Sequence, residues 1–327
     1  MANGNLLAPA TVVKNANLVD PGIKAVMADE YKMLEGNFAK IFKTVEMRTI
    51  SEEFSGYSGL GDIPLVAETE EIGEDTDIHT YNTTLTTYKY AQNKSISWEL
   101  LEDDIQKVIG KTSDMSRAMI RKIEKLGAGI FNKAFNTSYT SYGDGLPLCS
   151  TLHTRADGGA TQSNASATSI ALTETNLETA ILAMRNQLDD RGNLVSIVPN
   201  TLLVPPALEK EAIEITKSMN RSGTADNDIN VNNMKEYTGG QLNVIVWDYL
   251  GAAAGGSDTA WFLLAMNNPA YGISVGWRHK PEVKKLDESV GVKNQVMYWQ
   301  YYFRIALGWL NWRAVWGSQG TGAGYSS

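Results

Sequence analysis

Residues 97–136 read SWELLEDDIQKVIGKTSDMSRAMIRKIEKLGAGIFNKAFN. Apolar side chains in this stretch recur at steps of three or four, which is the spacing of one face of a helix. The members of this face are Trp98, Leu101, Ile105, Val108, Met115, Met119, Ile123, Leu126, Ile130 and Ala134. Ser97 is predicted to cap a first short helix, residues 110–113 to end it, and Ser113 to cap a second helix that reaches Phe135. At a rise of about 1.5 Å per residue, the second helix would be about 33 Å long.

The opposite face of the second predicted helix is basic. Arg117, Arg121 and Lys125 lie opposite the apolar stripe on a helical wheel, and Lys122 and Lys133 flank that stripe. A long helix that is apolar on one side and basic on the other is predicted to separate two different surfaces. We call this helix the spine.

Two glycines lie near the end of the spine. Gly127 and Gly129 each cost about 1 kcal/mol in a helix interior relative to alanine. A chain segment that approaches the backbone closely is one reason to keep glycine at such positions. The sequence therefore predicts a close neighbour beside this part of the helix.

The bulk composition restricts the class of protein. Of the 327 residues, 43% are hydrophobic and 20% are charged, as expected of a globular protein with one large or two ordinary domains. The formal net charge of −8 argues against a general nucleic-acid coat that binds phosphates. Cys149 is the only cysteine, so no intrachain disulfide is possible, and neither a signal peptide nor a membrane-spanning run is visible. The composition predicts a soluble protein made in a cytoplasm.

An acid-rich block precedes the spine. Its six acids fall within ten residues that contain no base, and they are Glu68, Glu70, Glu71, Glu74, Asp75 and Asp77. From the charges alone, a solvated loop is as good an interpretation as a binding surface. Residues 81–97, which follow, have high strand propensity but are polar on both faces. Paired with residues 63–69, they are predicted to form a long hairpin with an acidic tip, which needs another copy of the chain as its partner surface.

Periodicity also predicts the remaining elements. Helical spacing predicts helices over residues 23–45, 173–188 and 207–219. Short apolar runs predict strands over residues 194–198, 201–204, 242–247, 260–266 and 271–277. The strongest strand signal is the alternation from Met297 to Trp309, and a bulge is predicted near residues 308–311. Residues 317–327 are predicted to be a flexible Gly/Ser tail.

Candidate chemical groups are few. Cys149 and His153 lie four residues apart and suggest a nucleophile pair, but no third orienting residue can be assigned, and a buried cysteine beside a hydrogen-bonded histidine is the simpler interpretation. The histidines show no metal-ligand spacing, and the glycines of residues 56–61 do not match a phosphate-binding loop. The sequence therefore predicts no catalytic, cofactor-binding or metal site.

Four motifs, in their order and spacing, resemble one protein family. They are ISWELLEDD at residues 96–104, DGLPLCSTLH at 144–153, DRG at 190–192 and PNTLLVPP at 199–206. With the arm, the polar hairpin and the long late strand, they resemble the major capsid proteins of tailed bacteriophages with the HK97-type fold, and most closely the major head subunit of Mu-like phages. The resemblance covers about residues 25–317.

The resemblance implies an α+β fold with a defined division of the chain. The implied parts are an N-terminal arm and helix over residues 1–50, an extended loop hairpin over 51–96, a peripheral domain over 97–164 and 286–316, an axial domain over 165–285, and the tail over 317–327. The peripheral domain would hold the spine and the late strand. The axial domain would hold the helices at 173–188 and 207–219.

The resemblance also implies a structural, non-enzymatic function. The subunit would self-assemble into hexamers and pentamers of an icosahedral phage head around double-stranded DNA, without sequence-specific contacts to that DNA and without a cofactor. Expected partners are a separate scaffold protein, a portal and, in some relatives, a decoration protein. The scaffold is expected to be separate because the chain reaches its extended loop too soon to include a scaffolding segment. The expected location is the virion, after assembly in the bacterial cytoplasm. Two alternatives stay open, namely the shell protein of a cellular nanocompartment and a soluble hydrolase that uses Cys149 and His153.

Charge suggests how neighbouring subunits would meet. In the resembled fold the extended loop lies over the neighbouring subunit's peripheral domain. We therefore expect the acid-rich block of one subunit to dock on or near the basic residues of the next subunit's spine, which are Arg117, Arg121, Lys122 and Lys125. The rival expectation is that these bases face packaged DNA or the shell interior.

Overall fold

The computed structural model describes residues 36–321 apart from residues 57, 60, 62, 64, 70, 77, 219–241 and 288–293, and it describes only the backbone at 105, 106 and 109–113. Two four-stranded sheets, one two-stranded ribbon and the spine form an α+β architecture. Its helices are α1 Asn37–Ile41, α2 Trp98–Asp103, α3 Ile105–Asn132, α4 Glu174–Arg185 and α5 Glu209–Lys217. Its strands are β1 Lys43–Glu46, β2 Ser51–Phe54, β3 Thr83–Thr86, β4 Tyr88–Ser97, β5 Thr201–Val204, β6 Asn243–Val246, β7 Trp261–Leu264, β8 Ile273–Lys285, β9 Val296–Trp309 and β10 Val315–Ser318. No helix in these ranges is both long and apolar enough to cross a membrane.

The spine is α3, which starts at Ile105 and not at the predicted Ser113, whereas the cap predicted for the short helix before it is confirmed. The Ser97 side chain accepts a hydrogen bond from the Leu100 N–H at 3.4 Å and so caps α2. The predicted break at residues 110–113 is wrong, because α3 continues through them. The break lies at Asp104, whose side chain accepts from the Lys107 N–H at 3.0 Å and caps α3. Gly110 weakens a helix by only about 1 kcal/mol, which the packing of a long helix offsets.

The first sheet has the strand order β1-β8-β9-β4 and carries the strongest predicted strand. The alternation from Met297 to Trp309 is confirmed as β9, and most of its apolar residues are buried. The predicted bulge is wrong in place, since Trp309 still pairs with Ile273. The register shifts lie on β8 instead, on both sides of His279. A bulge in one strand disturbs the facing strand, so the pattern of β9 alone could not assign it.

The hairpin predicted for residues 63–69 and 81–97 is wrong. Those later residues divide at Thr87 into β3, which pairs with β2, and β4, which pairs with β9 over all ten residues. β4 is the edge strand of its sheet and is mostly exposed. Polar residues on both faces are compatible with such an edge position, and they do not specify the partner strand.

The second sheet has the order β10-β7-β5-β6, and every residue of β5, β7 and β10 is buried. The predicted strand at 194–198 is wrong, because only Leu194 forms an isolated bridge, with Leu188. The predicted tail also starts too early, since Gly317 and Ser318 belong to β10. The helices predicted at 173–188 and 207–219 are present as α4 and α5 with shorter bounds.

The region before β1 differs from the predicted helix over residues 23–45. Residues 23–35 of that helix lie outside the described residues, α1 covers only residues 37–41, and the chain then forms β1. β1 pairs in parallel with β8, and the β propensity of Thr44 and Val45 fits that pairing.

Packing between α1 and the spine explains one of the two spine glycines. A Cβ atom on Gly127 would lie 2.4 Å from Cδ2 of Phe38, so the predicted close neighbour is confirmed there. A Cβ atom on Gly129 would meet nothing within 4 Å, so the prediction is wrong at that position.

The division into arm, loop, peripheral and axial parts stays a prediction. The pairing of β8 with β9 concerns the boundary expected at residue 285, because β8 lies on one side of that boundary and β9 on the other.

Candidate assembly surfaces

The predicted basic face of the spine is exposed. Arg117, Arg121, Lys122 and Lys125 all lie on the outside of α3, as the helical wheel indicates. Two of these bases lie over aromatic rings. Lys122 Nζ is 5.1 Å from the ring centroid of Tyr90, and Lys125 Nζ is 5.9 Å from that of Tyr249. Such contacts hold the ammonium groups near the surface without neutralising their charge.

A groove runs between the spine and the first sheet. It holds two cavities. The one beside Met115 and Lys122 has a volume of about 330 Å³, and the one beside Lys125 and Lys133 has about 490 Å³. Tyr90 of β4 lines both cavities and stacks on Phe303 of β9 with ring centroids 5.2 Å apart. The helix side of the groove is lined by Met115, Ala118, Met119, Lys122, Lys125, Leu126, Gly129, Asn132 and Lys133. We call this surface the spine groove; the wall of its smaller cavity is mainly apolar, that of its larger cavity is mixed, and the groove carries the three ammonium groups of Lys122, Lys125 and Lys133.

The loop between β2 and β3 contains the acid-rich block. Glu68, Glu71 and Glu74 are exposed, whereas Glu70 and Asp77 lie outside the described residues. The same loop exposes three aliphatic side chains, with relative exposures of 96% for Ile63, 100% for Leu65 and 80% for Ile72. Single exposed apolar residues are ordinary, but three on one acidic loop form a surface that their own subunit leaves in water.

Asp75 differs from the other acids because its partner is in the same chain. Arg191 Nη1 lies 2.8 Å from Oδ1 and 2.9 Å from Oδ2 of Asp75. The Gly61 N–H donates to Asp75 Oδ2 at 2.8 Å. The Gly61 hydrogen bond and then the Arg191 guanidinium hold the pKa of Asp75 below its usual range. Asp75 is therefore exposed like Glu68, Glu71 and Glu74, but it is held by a contact within its own subunit.

Sequence reasoning missed two residues of these surfaces. Arg191 was visible only as part of the DRG motif, which carries no sign of its partner. Glu124 of the spine is buried, and its Oε1 accepts the Phe38 N–H at 3.2 Å. Burial raises the pKa of Glu124. Helical spacing places Glu124 beside Ile120 and Ala128, and this was the available signal.

The cysteine and histidine of the hydrolase alternative are both buried. Burial raises the pKa of the Cys149 thiol, and a thiol in such a site is a poor source of thiolate. His153 Nδ1 lies 2.6 Å from Asp144 Oδ2, and its ring stacks on Trp312 with centroids 4.0 Å apart. A carboxylate thus orients His153, although the sequence assigned none. Within the described ranges, no three His, Cys, Asp or Glu side chains are grouped as metal ligands would be.

Comparison with known proteins gives one family match. The model of the family described as "Phage capsid protein" matches residues 80–318. The match contains α2, the spine and both four-stranded sheets apart from β1. A search of curated proteins found no match.

Solved structures show the same fold at low identity. A structure from Gordonia phage Cozz has a TM-score of 0.53 and 11% identity, with 88% of this chain and 86% of that chain covered. The capsid of a native GTA particle has a TM-score of 0.51 and 12% identity, with 85% and 87% covered. A virus-like particle from Pyrococcus furiosus has a TM-score of 0.50 and 12% identity, with 91% and 98% covered.

The family match covers well over half of the chain, and the fold is that of capsid subunits. No activity is needed to explain the buried Cys149 and His153, because both fill the core. The chain therefore belongs to the phage capsid protein family, as a non-enzymatic shell subunit with the HK97-type fold.

Proposed function

We propose that this subunit forms the hexamers and pentamers of an icosahedral head, and that the acid-rich loop of one copy docks in the spine groove of the next. The observation that carries the docking is the exposure of Ile63, Leu65 and Ile72 on a loop that also carries Glu68, Glu71 and Glu74. The spine groove offers the complementary surface, with Tyr90 and Phe303 in its wall and Lys122 at its edge.

Magnitudes indicate which interaction supplies the affinity. Complete burial of one such aliphatic side chain is worth about 1.5–3 kcal/mol. One exposed ion pair is worth only about 0.2–1 kcal/mol. The aliphatic side chains therefore supply most of the stabilisation, while the carboxylates and ammonium groups set register and speed association. Repetition around a closed shell multiplies both effects.

The interior and the partners follow from the same proposal. The head encloses double-stranded DNA without reading its sequence, and the formal net charge of −8 fits a wall that holds few counter-charges for phosphates. A separate scaffold protein and a portal complete assembly in the bacterial cytoplasm. Within the family, we place the subunit nearest to the Mu-like major heads, on the four motifs named above.

A cellular nanocompartment shell is the second candidate, because the virus-like particle from Pyrococcus furiosus has a similar fold. The content of purified particles distinguishes the candidates. A phage head yields nuclease-protected double-stranded DNA, whereas a nanocompartment yields one abundant protein cargo and no protected DNA.

The docking is tested by charge reversal and rescue. Changing Arg121 and Lys125 to Glu should block shell formation. Changing Glu70, Glu71 and Glu74 to Lys in the same chain should partly restore it. Lys210→Glu, an 88%-exposed base on α5, is the control for the change in charge and should leave assembly intact. Shells are counted by sedimentation velocity and electron microscopy. No rescue, with intact shells that lack DNA, would favour the rival in which the spine bases face the genome.

The aliphatic part is tested separately. Leu65→Ser should lower shell yield without lowering the free energy of unfolding, since Leu65 is fully exposed in the isolated subunit. Leu182→Ser, at a 58%-exposed position on α4, is the matched control. Equal shell yields from both variants would contradict the aliphatic docking.

A further inference from the structure

The acid-rich loop is tied to the body of its own subunit at one point. Arg191 contacts both carboxylate oxygens of Asp75 through Nη1, and its Nη2 donates to the Thr76 carbonyl. The Arg191 side chain is only 9% exposed, whereas the Asp75 side chain is 40% exposed, so a nearly buried guanidinium meets a carboxylate at the surface. A guanidinium that contacts a carboxylate and a carbonyl together fixes orientation as well as distance.

The turn that presents Arg191 is itself held in place. Asp189 Oδ1 accepts the backbone N–H groups of Arg191 and Asn193, both at 2.8 Å. Asp190 Oδ1 lies 2.9 Å from Arg313 Nη2, and this ion pair is almost fully buried. The Asp190 carboxylate also accepts the Ala156 N–H at 3.2 Å. The turn that carries Arg191 is therefore fixed next to the second sheet, because Arg313, the partner of Asp190, lies just before β10.

The same contact closes the loop on itself. The Gly61 N–H donates to Asp75 Oδ2, so residues 61 and 75 are held together. Ile63, Leu65 and Ile72, the exposed aliphatic residues, lie between these two ends. Below them, backbone hydrogen bonds from Ser58 to Ile78 and from Thr80 to Gly56 close the base of the loop. The segment that carries the docking side chains is thus bounded by the Asp75–Arg191 contact.

We propose that Asp75 and Arg191 form a latch that holds the acid-rich loop in its docking shape before a neighbour arrives. This inference rests on the proposed docking function. A loop ordered in advance loses less conformational entropy on binding, so its affinity for the spine groove of the next copy is higher. Asp75 and Arg191 are positioning residues in this account, because they act through the loop and not on the neighbour.

The latch is tested with Arg191→Gln, Asp75→Ala and the double variant. Each single change should raise the protein concentration at which shells first form by about five- to tenfold, which corresponds to the cost of ordering about one or two side chains. The effect of the double variant should be smaller than the sum of the two single effects, because both single changes remove the shared Asp75–Arg191 interaction. Arg191→Lys keeps the positive charge but loses the planar guanidinium. Its assembly concentration should lie between those of the parent and of Arg191→Gln. Glu214→Gln, which removes an exposed ion pair with Lys210, is the control and should have no effect.

A second measurement reports on the latch itself. Amide hydrogen exchange at Gly61 in unassembled subunits should be slow in the parent and fast in Arg191→Gln, while the amides of β7 keep their protection. Faster exchange at Gly61 with an unchanged assembly concentration would overturn the inference and leave the docking function intact. Easier assembly of the latch variants would also overturn it. Failure of the parent subunit to form hexamers, pentamers or shells would instead overturn the proposed function.

Discussion

Glu124 shows at the residue scale how the spine is fixed to the segment before β1. Its carboxylate is buried against α1 and accepts the Phe38 N–H, so it satisfies a backbone donor in the first turn of that helix. Burial opposes the charged form and raises the pKa of Glu124 above its ordinary value of 4.5. Because the folded subunit then binds the proton more tightly than the unfolded chain, Glu124 favours folding most below pH 4.5. That contribution is lost as the pH rises through the raised pKa.

Glu124→Gln should therefore change the pH dependence of stability. The glutamine oxygen still accepts the Phe38 N–H, but the side chain no longer titrates. The free energy of unfolding of the variant, relative to the parent, should rise as the pH increases from about 4.5 to about 7.5. Urea unfolding at several pH values measures this difference, and Glu99→Gln, at an exposed position on α2, serves as the control. A relative free energy that falls over this interval would contradict the assigned burial.

The spine shows at the element scale what periodicity can and cannot predict. Its apolar face and the Ser97 cap of the preceding helix α2 are local properties, so the sequence predicts both. The break was misplaced because Asp104 both ends one helix and caps the next, which a search for glycine does not detect. The partner of β4 was also wrong, because the partner lies about two hundred residues away and no local pattern chooses it. The Asp75–Arg191 contact spans 116 residues and was missed for the same reason.

The two spine glycines give a matched pair of variants. Gly127→Ala should lower the free energy of unfolding by about 1–3 kcal/mol, since the new methyl group would overlap the Phe38 ring. Gly129→Ala should raise it by about 0.5–1 kcal/mol, because the position is open and alanine favours the helix. Urea unfolding of the unassembled subunit measures both changes. A stabilised Gly127→Ala variant would show that α1 does not pack closely on the spine.

At the scale of the whole molecule, the described residues divide into a packed body and a loop that is not packed. The body buries most of the second sheet, the apolar side chains of β9 and one face of the spine. The loop between β2 and β3 keeps Ile63, Leu65 and Ile72 in water together with Glu68, Glu71 and Glu74. A single subunit has no physical reason to maintain such a surface, whereas a shell of identical copies does, because each loop meets the groove of its neighbour.

Shell formation by the purified full chain tests this account most directly. Subunits are concentrated stepwise, their mass is followed by sedimentation velocity, and the largest species are imaged by cryo-electron microscopy. We predict closed icosahedral shells in which density for residues 61–76 of each copy enters the spine groove of the adjacent copy, against Tyr90 and Phe303. Closed shells whose grooves are empty, or subunits that form neither hexamers, pentamers nor shells at any concentration, would contradict it.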